Sequence, residues 1–208
     1  MGRPENDPIR LYAMTQLGNG LSMACQHQTA LSVREAELSI LRRLGLPTAH
    51  VLGVQGNLAN SYEAVGRLES ALQMKRDVYS GRLKLLGEEN EDTLIAANNY
   101  ANCLLNLERF EAAKPLLRKT IPMARRVLGD SHELTLKMRC IHAWALYGDP
   151  AATLKELRKA VTMLEETAPI ARRVLGSSHP VVVNIEKNLG HARETLRARE
   201  EASSTVLE

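Results

Sequence analysis

Apolar residues in this chain recur at the spacing of a single buried helix face. After Gly87, the residues Ala97, Tyr100, Ala101 and Leu104 keep the i, i+3, i+4, i+7 rhythm, which brings them to one side of an α-helix. Asn90 stands where it can cap that helix, with Glu91 and Asp92 in the first turn, where the helix dipole favours acidic groups. Leu107-Glu108-Arg109 interrupts the rhythm. A second helix is predicted from Phe110 through Ala113, Leu116, Leu117 and Val127 to Leu128-Gly129. A glycine suits the left-handed turn that closes such a helix.

The pair then repeats. Leu44-Gly45, Leu86-Gly87 and Leu128-Gly129 lie 42 residues apart, and Leu175-Gly176 follows after 47. Asn57-Leu58-Ala59-Asn60 becomes Asn99-Tyr100-Ala101-Asn102, then Ile141-His142-Ala143-Trp144, then Asn188-Leu189-Gly190-His191. Leu17-Gly18-Asn19 and Ala30 keep the register in a worn first copy. A fixed period of this size predicts an all-α stack in which each unit buries its apolar face on its neighbours. The expectation is one array over residues 1–202, with units at about 8–43, 44–86, 87–128 and 129–175 and a capping helix over 179–200. Residues 203–208 are expected to be a frayed tail or a cloning remnant.

Ser131 and Ser178 are expected to cap the helices that follow Gly129 and Gly176. Pro115, Pro122 and Pro169 fall inside predicted helices, and each should bend or break its helix, because proline lacks the N–H. About five extra residues lie between Trp144 and Arg172. Alignment from the two ends does not agree on where they sit.

Composition narrows the reading. Hydrophobic residues make up 44% and aromatic residues 3%, so the core must be built from Leu, Ala, Val and Met. The net charge of +3, from 27 basic and 24 acidic residues that are interspersed, neither demands nor excludes an anionic partner. Cys25, Cys103 and Cys140 are odd in number and far apart, which points to reduced thiols and away from a disulfide framework or zinc site. No apolar run nears the roughly 18 residues of a membrane span, and the start is not a secretory signal. A cytoplasmic protein without a membrane partner is expected.

The stretch Asn57-Leu58-Ala59-Asn60-Ser61-Tyr62, with Gly66 and Ala71 after it, resembles a tetratricopeptide repeat. The unit of 42 residues is similar to the kinesin-light-chain-like subfamily. Leu86-Gly87, Thr93-Leu94, Asn98-Asn99-Tyr100-Ala101 and Val174-Leu175-Gly176-Ser177-Ser178-His179-Pro180 carry that likeness. It covers about residues 15–192. The resemblance implies a solenoid of antiparallel helix pairs in a right-handed superhelix. Its first helices would line a concave groove that binds a peptide segment of a partner protein.

In such an array the position after the small packing residue points into the groove: Asn19, Asn60, Asn102, Trp144 and His191. One turn earlier lie Gly56, Asn98, Cys140 and Lys187, flanked by Ile95 and Lys137. An amide carries a donor and an acceptor, so a row of asparagines can pair with any extended backbone. Trp144 would either anchor an apolar ligand side chain or pack against the irregular fourth unit. Lys137 and Lys187 would favour an acidic peptide or simply form a solvated face. His142 occupies a core-leucine position and is expected to be buried and hydrogen-bonded.

Catalytic, cofactor and metal fingerprints are absent from the sequence, so neither enzyme activity nor a cofactor is expected. Arg42-Arg43, Lys75-Arg76, Arg125-Arg126 and Arg172-Arg173 form a stripe on the second helices, but Glu69, Asp77, Glu165 and Glu166 lie among them. A solvated outer face is expected, not a nucleic-acid site. The alternative to a peptide-binding scaffold is a regulatory or self-associating segment of a larger signalling protein, such as a repeat-bearing NTPase. Exposed Ile9, Leu11, Tyr12 and Met14 would favour it.

Overall fold

The computed structural model describes residues 8–205. Among these the chain forms the helices α1 (Pro8–Met23), α2 (His27–Arg43), α3 (Thr48–Ala64), α4 (Leu68–Leu86), α5 (Glu91–Asn106), α6 (Phe110–Leu128), α7 (Glu133–Tyr147), α8 (Leu154–Leu175) and α9 (Pro180–Thr205). None is long and apolar enough to cross a membrane. The chain divides after Gly87 into two compact units, α1–α4 and α5–α9.

In the first unit, Leu31, Leu38 and Leu41 of α2 pack on Val54 and Leu58 of α3. Arg34 is buried among neutral acceptors: its guanidinium donates to Ser22 Oγ at 3.0 Å, to Asn19 Oδ1 at 2.9 Å and to Ser61 Oγ. Lys75 also departs from the expected outer stripe. It is 5% exposed, and its ammonium meets Glu63 at 2.5 Å. Its long stem lies along the core while the charge finds a partner.

In the second unit the core is built on small residues. Ala143 of α7, Ala160, Ala168 and Ala171 of α8 and Ala192 of α9 are all at most 1% exposed. Their size lets helix backbones approach, and Leu136, Leu164, Val182 and Ile185 fill the space between. His142 of α7 is also buried, at 5% exposure, but the expected side-chain hydrogen bond is absent among the described residues.

Turn chemistry follows the sequence in most places. Gly87, Gly129 and Gly176 have φ of 82°, 92° and 84°, and Asn90 caps α5 by accepting from the Asp92 N–H at 2.9 Å. The caps of α7 and α9 are not the serines. His132 Nδ1 accepts from the Leu134 N–H, and His179 Nδ1 from the Val181 N–H, both at 3.3 Å. The turn after each glycine closes one residue later than expected, so the histidine holds the extended cap conformation (φ −68°, ψ 138° at His132).

The prolines do not break their helices. α6 runs through Pro115 and Pro122, and α8 through Pro169. All three are exposed, as are Glu111, Arg118 and Glu165, whose carbonyls lose a partner. Water can solvate those carbonyls, which reduces the cost of the missing bond. The last helix continues to Thr205, past the expected fraying point at Ala202; residues 206–208 of the expected tail lie outside the described residues.

The extra residues of the fourth unit are shared between a loop and a helix. The connection 148–153 replaces the tight turn 107–109, α8 has 22 residues where α6 has 19, and α7 has 15 where α5 has 16. This longer loop is tied down from within. Lys114, 6% exposed, meets Asp149 at 2.7 Å, Glu111 at 2.8 Å and Glu156 at 3.2 Å. Burial alone would lower the Lys114 pKa, but hydrogen bonds to Asp149, Glu111 and Glu156 outweigh it and raise the value. Thr153 and Glu156 form a capping box at the start of α8.

Gly148 opens the loop by close approach. A Cβ there would lie 2.9 Å from Trp144 Cδ1 and from the Trp144 carbonyl oxygen, and 3.0 Å from Phe110 Cε1. Gly148→Ala should therefore destabilise the second unit by about 1–3 kcal/mol through overpacking. Urea unfolding measures this, and an unchanged midpoint would contradict the contact.

Candidate functional site

The expected groove residues divide between the units. Asn19 and Asn60 belong to the first. Asn60 is exposed on α3, but Asn19 is half-buried and its carbonyl is taken by Arg34. The remaining six lie in the second unit, and there the fold brings them together.

Asn102 of α5, Trp144 of α7, and Lys187 and His191 of α9 line one cavity of about 340 Å³. Three of these are the residues that follow the small packing position in successive units. An adjoining cavity of about 570 Å³ is lined by Asn98, Asn102 and Lys137, and it shares Cys140, Ile141 and Asn184 with the first. The two therefore form a continuous depression along the first helices of this unit.

Four asparagines, Asn98, Asn102, Asn184 and Asn188, line its walls. The Tyr147 hydroxyl donates to Asn188 Oδ1 at 2.7 Å, and Asn188 Nδ2 donates to the Asn184 carbonyl at 2.7 Å and to Asn184 Oδ1 at 3.1 Å. Asn184 in turn reaches Cys140 Sγ at 3.8 Å. Burial pushes the Cys140 pKa up to about 12, so the thiol stays protonated and is not a nucleophile. Burial, with Cys140 nearby, also pushes Tyr147 up to about 12, which keeps its O–H a donor. Asn98 Oδ1 is buried with no hydrogen-bond partner.

Charge is unevenly placed along the depression. The cavity with Trp144 has Lys187 and His191 and no carboxylate. In the other, Lys137 is held by Glu133 at 2.6 Å on its own helix.

Asn184, Asn188 and Tyr147 were not among the expected residues. Asn188 continues the column Asn57, Asn99, Ile141, and Asn184 continues Ile95, Lys137. The register already carried the first column across the 47-residue step without assigning it to the groove, and carrying the second would have found Asn184. The basic doublets on the second helices are largely compensated: Arg125 pairs with Asp130, Arg126 with Glu89, and Arg172 with Glu186 at 3.0 Å.

Tetratricopeptide-repeat models match residues 48–126 and 152–181, together just over half of the sequence. The chain is a tetratricopeptide-repeat protein. Solved structures agree with this tetratricopeptide-repeat assignment. A Podosopora anserina protein described as a kinesin light chain with nearly identical TPR-like repeats matches at TM-score 0.75 and 23% identity, covering 99% of this chain and 94% of that one. A substituted form of it gives TM-score 0.77 at 22% identity, covering 99% and 93%. BtubC (BKLC) from P. vanneervenii gives 0.75 at 19%, covering 95% and 79%. No curated protein matches the chain significantly. The fold is thus an all-α tetratricopeptide-repeat solenoid, similar to that of these kinesin-light-chain structures, and at these identities the likeness concerns fold alone.

Proposed function

We propose that this protein is a non-enzymatic interaction scaffold whose second unit binds an extended peptide segment of a partner protein. The observation that carries this reading is the convergence of Asn102, Trp144, Lys187 and His191, from three different helices, on one cavity. Asn102 and Asn184 would pair with the peptide backbone. Trp144 and Tyr147 would support an apolar side chain, since rigid aromatics give large contact area at low entropic cost. Asn98, whose buried carbonyl lacks a partner, stands at the edge of the same depression, where a peptide N–H would satisfy it.

The test compares the parent with an Asn102→Ala, Lys187→Ala double variant of equal helicity on a displayed peptide library. Peptides enriched on the parent should bind the variant about tenfold more weakly, in keeping with one or two lost hydrogen bonds. Enrichment that survives the double substitution would remove this groove from the mechanism.

Self-association is the second reading, favoured by Ile9 and Tyr12 of α1 at 59% and 66% exposure. Light scattering separates the two. A concentration-dependent dimer abolished by Ile9→Lys, Tyr12→Lys would support it, and a monomer throughout would dismiss it.

A further inference from the structure

We propose that a second binding site lies in the first unit, between α1, α2 and α3, and that it takes an alkylammonium or alkylguanidinium group, the head of a lysine or arginine side chain, with Glu37 as counter-ion. The cavity measures about 580 Å³, within the usual range for small-ligand sites. It is separate from the groove of the second unit and does not depend on that reading.

Glu37 is the feature that needs explaining. It is 2% exposed, yet it lines the cavity. One carboxylate oxygen accepts from the Thr15 hydroxyl, and among the described residues no cation lies within ion-pair distance of it. The fold treats its other deeply buried acid differently: Asp149 has Lys114 at 2.7 Å. A buried carboxylate without a counter-ion is costly. Burial accordingly raises the Glu37 pKa, against the Thr15 hydrogen bond and the fields of Arg34 and His50. A cation entering the cavity would relieve that cost.

The walls suit the rest of such a side chain. Leu11, Leu41, Leu46 and Val54 offer apolar surface for an aliphatic stem, the environment in which long cationic side chains bury their methylenes. Ala49 and Gly53 leave the α3 wall bare, and a Cβ added at Gly53 would meet nothing within 4 Å. Arg82 also lines the cavity but is only half-buried. Water screens its charge far more than that of Glu37.

The experiment is an amide-resolved NMR titration of the full chain with the acetylated methylamides of lysine, arginine and norleucine. Saturable shifts at Thr15, Glu37 and Gly53 are expected with lysine or arginine, with Kd on the order of 1–10 mM for so small a ligand. Norleucine should bind about tenfold more weakly or not at all. Glu37→Gln keeps an acceptor for Thr15 and removes the charge; it should weaken binding about tenfold. Gly53→Leu fills open space and raises helix propensity, so it should abolish binding while the helical circular dichroism is retained. Absence of saturable shifts with either cation would overturn the proposal. So would equal binding of norleucine, or binding unchanged in either variant.

Discussion

Lys114→Met should lower the stability of the second unit by about 3–5 kcal/mol, the usual penalty for removing one partner of a buried ion pair. The methionine matches the stem of Lys114 in length, so lost packing contributes little. The cost arises from what remains. Asp149 is 9% exposed and would keep its charge in a place where the Ala151 N–H, at 2.8 Å, is its remaining hydrogen-bond donor. The loop 148–153 would lose its tie to α6, and Trp144 beside Gly148 would report the change. Because Trp144 is the single tryptophan, urea unfolding followed by its fluorescence reads this unit directly. Lys114→Met combined with Asp149→Leu should recover most of the loss, since an apolar pair carries no stranded charge. A loss below about 1 kcal/mol in the single variant would mean that the network is solvated and contributes as a surface pair does.

The same network has a signature in acid. The Lys114 hydrogen bond holds the Asp149 pKa low, and the Thr153 N–H does the same for Glu156, with Lys114 adding to it. Both carboxylates have depressed values, so their stabilising effect is full above the ordinary carboxylate range and is lost as pH falls from that range through the lowered values.

His142 should make the protein acid-sensitive in a higher window. Burial lowers its pKa to about 4, with Lys159 and Arg118 adding to the shift, against 6.5 for the free side chain. The unfolded chain therefore binds a proton between these values and the folded chain does not. Stability is complete above about pH 6.5 and declines toward pH 4, for a total loss of about 3 kcal/mol at roughly 1.4 kcal/mol per pH unit. His142→Leu should flatten that slope and stabilise the unit at pH 5, because leucine suits a core position and cannot charge. Denaturant midpoints at pH 7, 6 and 5 measure it. A variant that loses stability with the parent's slope would show that the histidine does not control this window.

Most of the fold was legible in the sequence, and particular residues show why. Asn90, Gly87 and the apolar spacing of Ala97, Ala101 and Leu104 each act within a few positions of themselves. Local rules suffice there. The serine caps were misread because Ser131 and His132 are both able to accept a hydrogen bond, and one residue of turn geometry chooses between them. Of the expected bend or break at Pro115, Pro122 and Pro169, the break does not occur; local rules omit solvent, and all three prolines face water. The repeat register predicted that Asn102, Trp144 and His191 share a face, and the fold brings them to one cavity. It did not assign Asn184 and Asn188 to that face.

The sequence by itself determined the helices, their turns and their period, since these rest on hydrogen bonds and side-chain faces between near neighbours. The tertiary structure alone decided where the charges go. Arg34 claims Asn19, 15 positions away, Lys75 turns inward to Glu63, and Lys114 reaches Asp149 across 35 positions. It also decided that Glu37 would be buried beside a cavity, without a counter-ion among the described residues. Periodicity tells which side of a helix is apolar. Which polar group meets which depends on how neighbouring helices bring distant residues within hydrogen-bonding reach, and no local pattern records that distance.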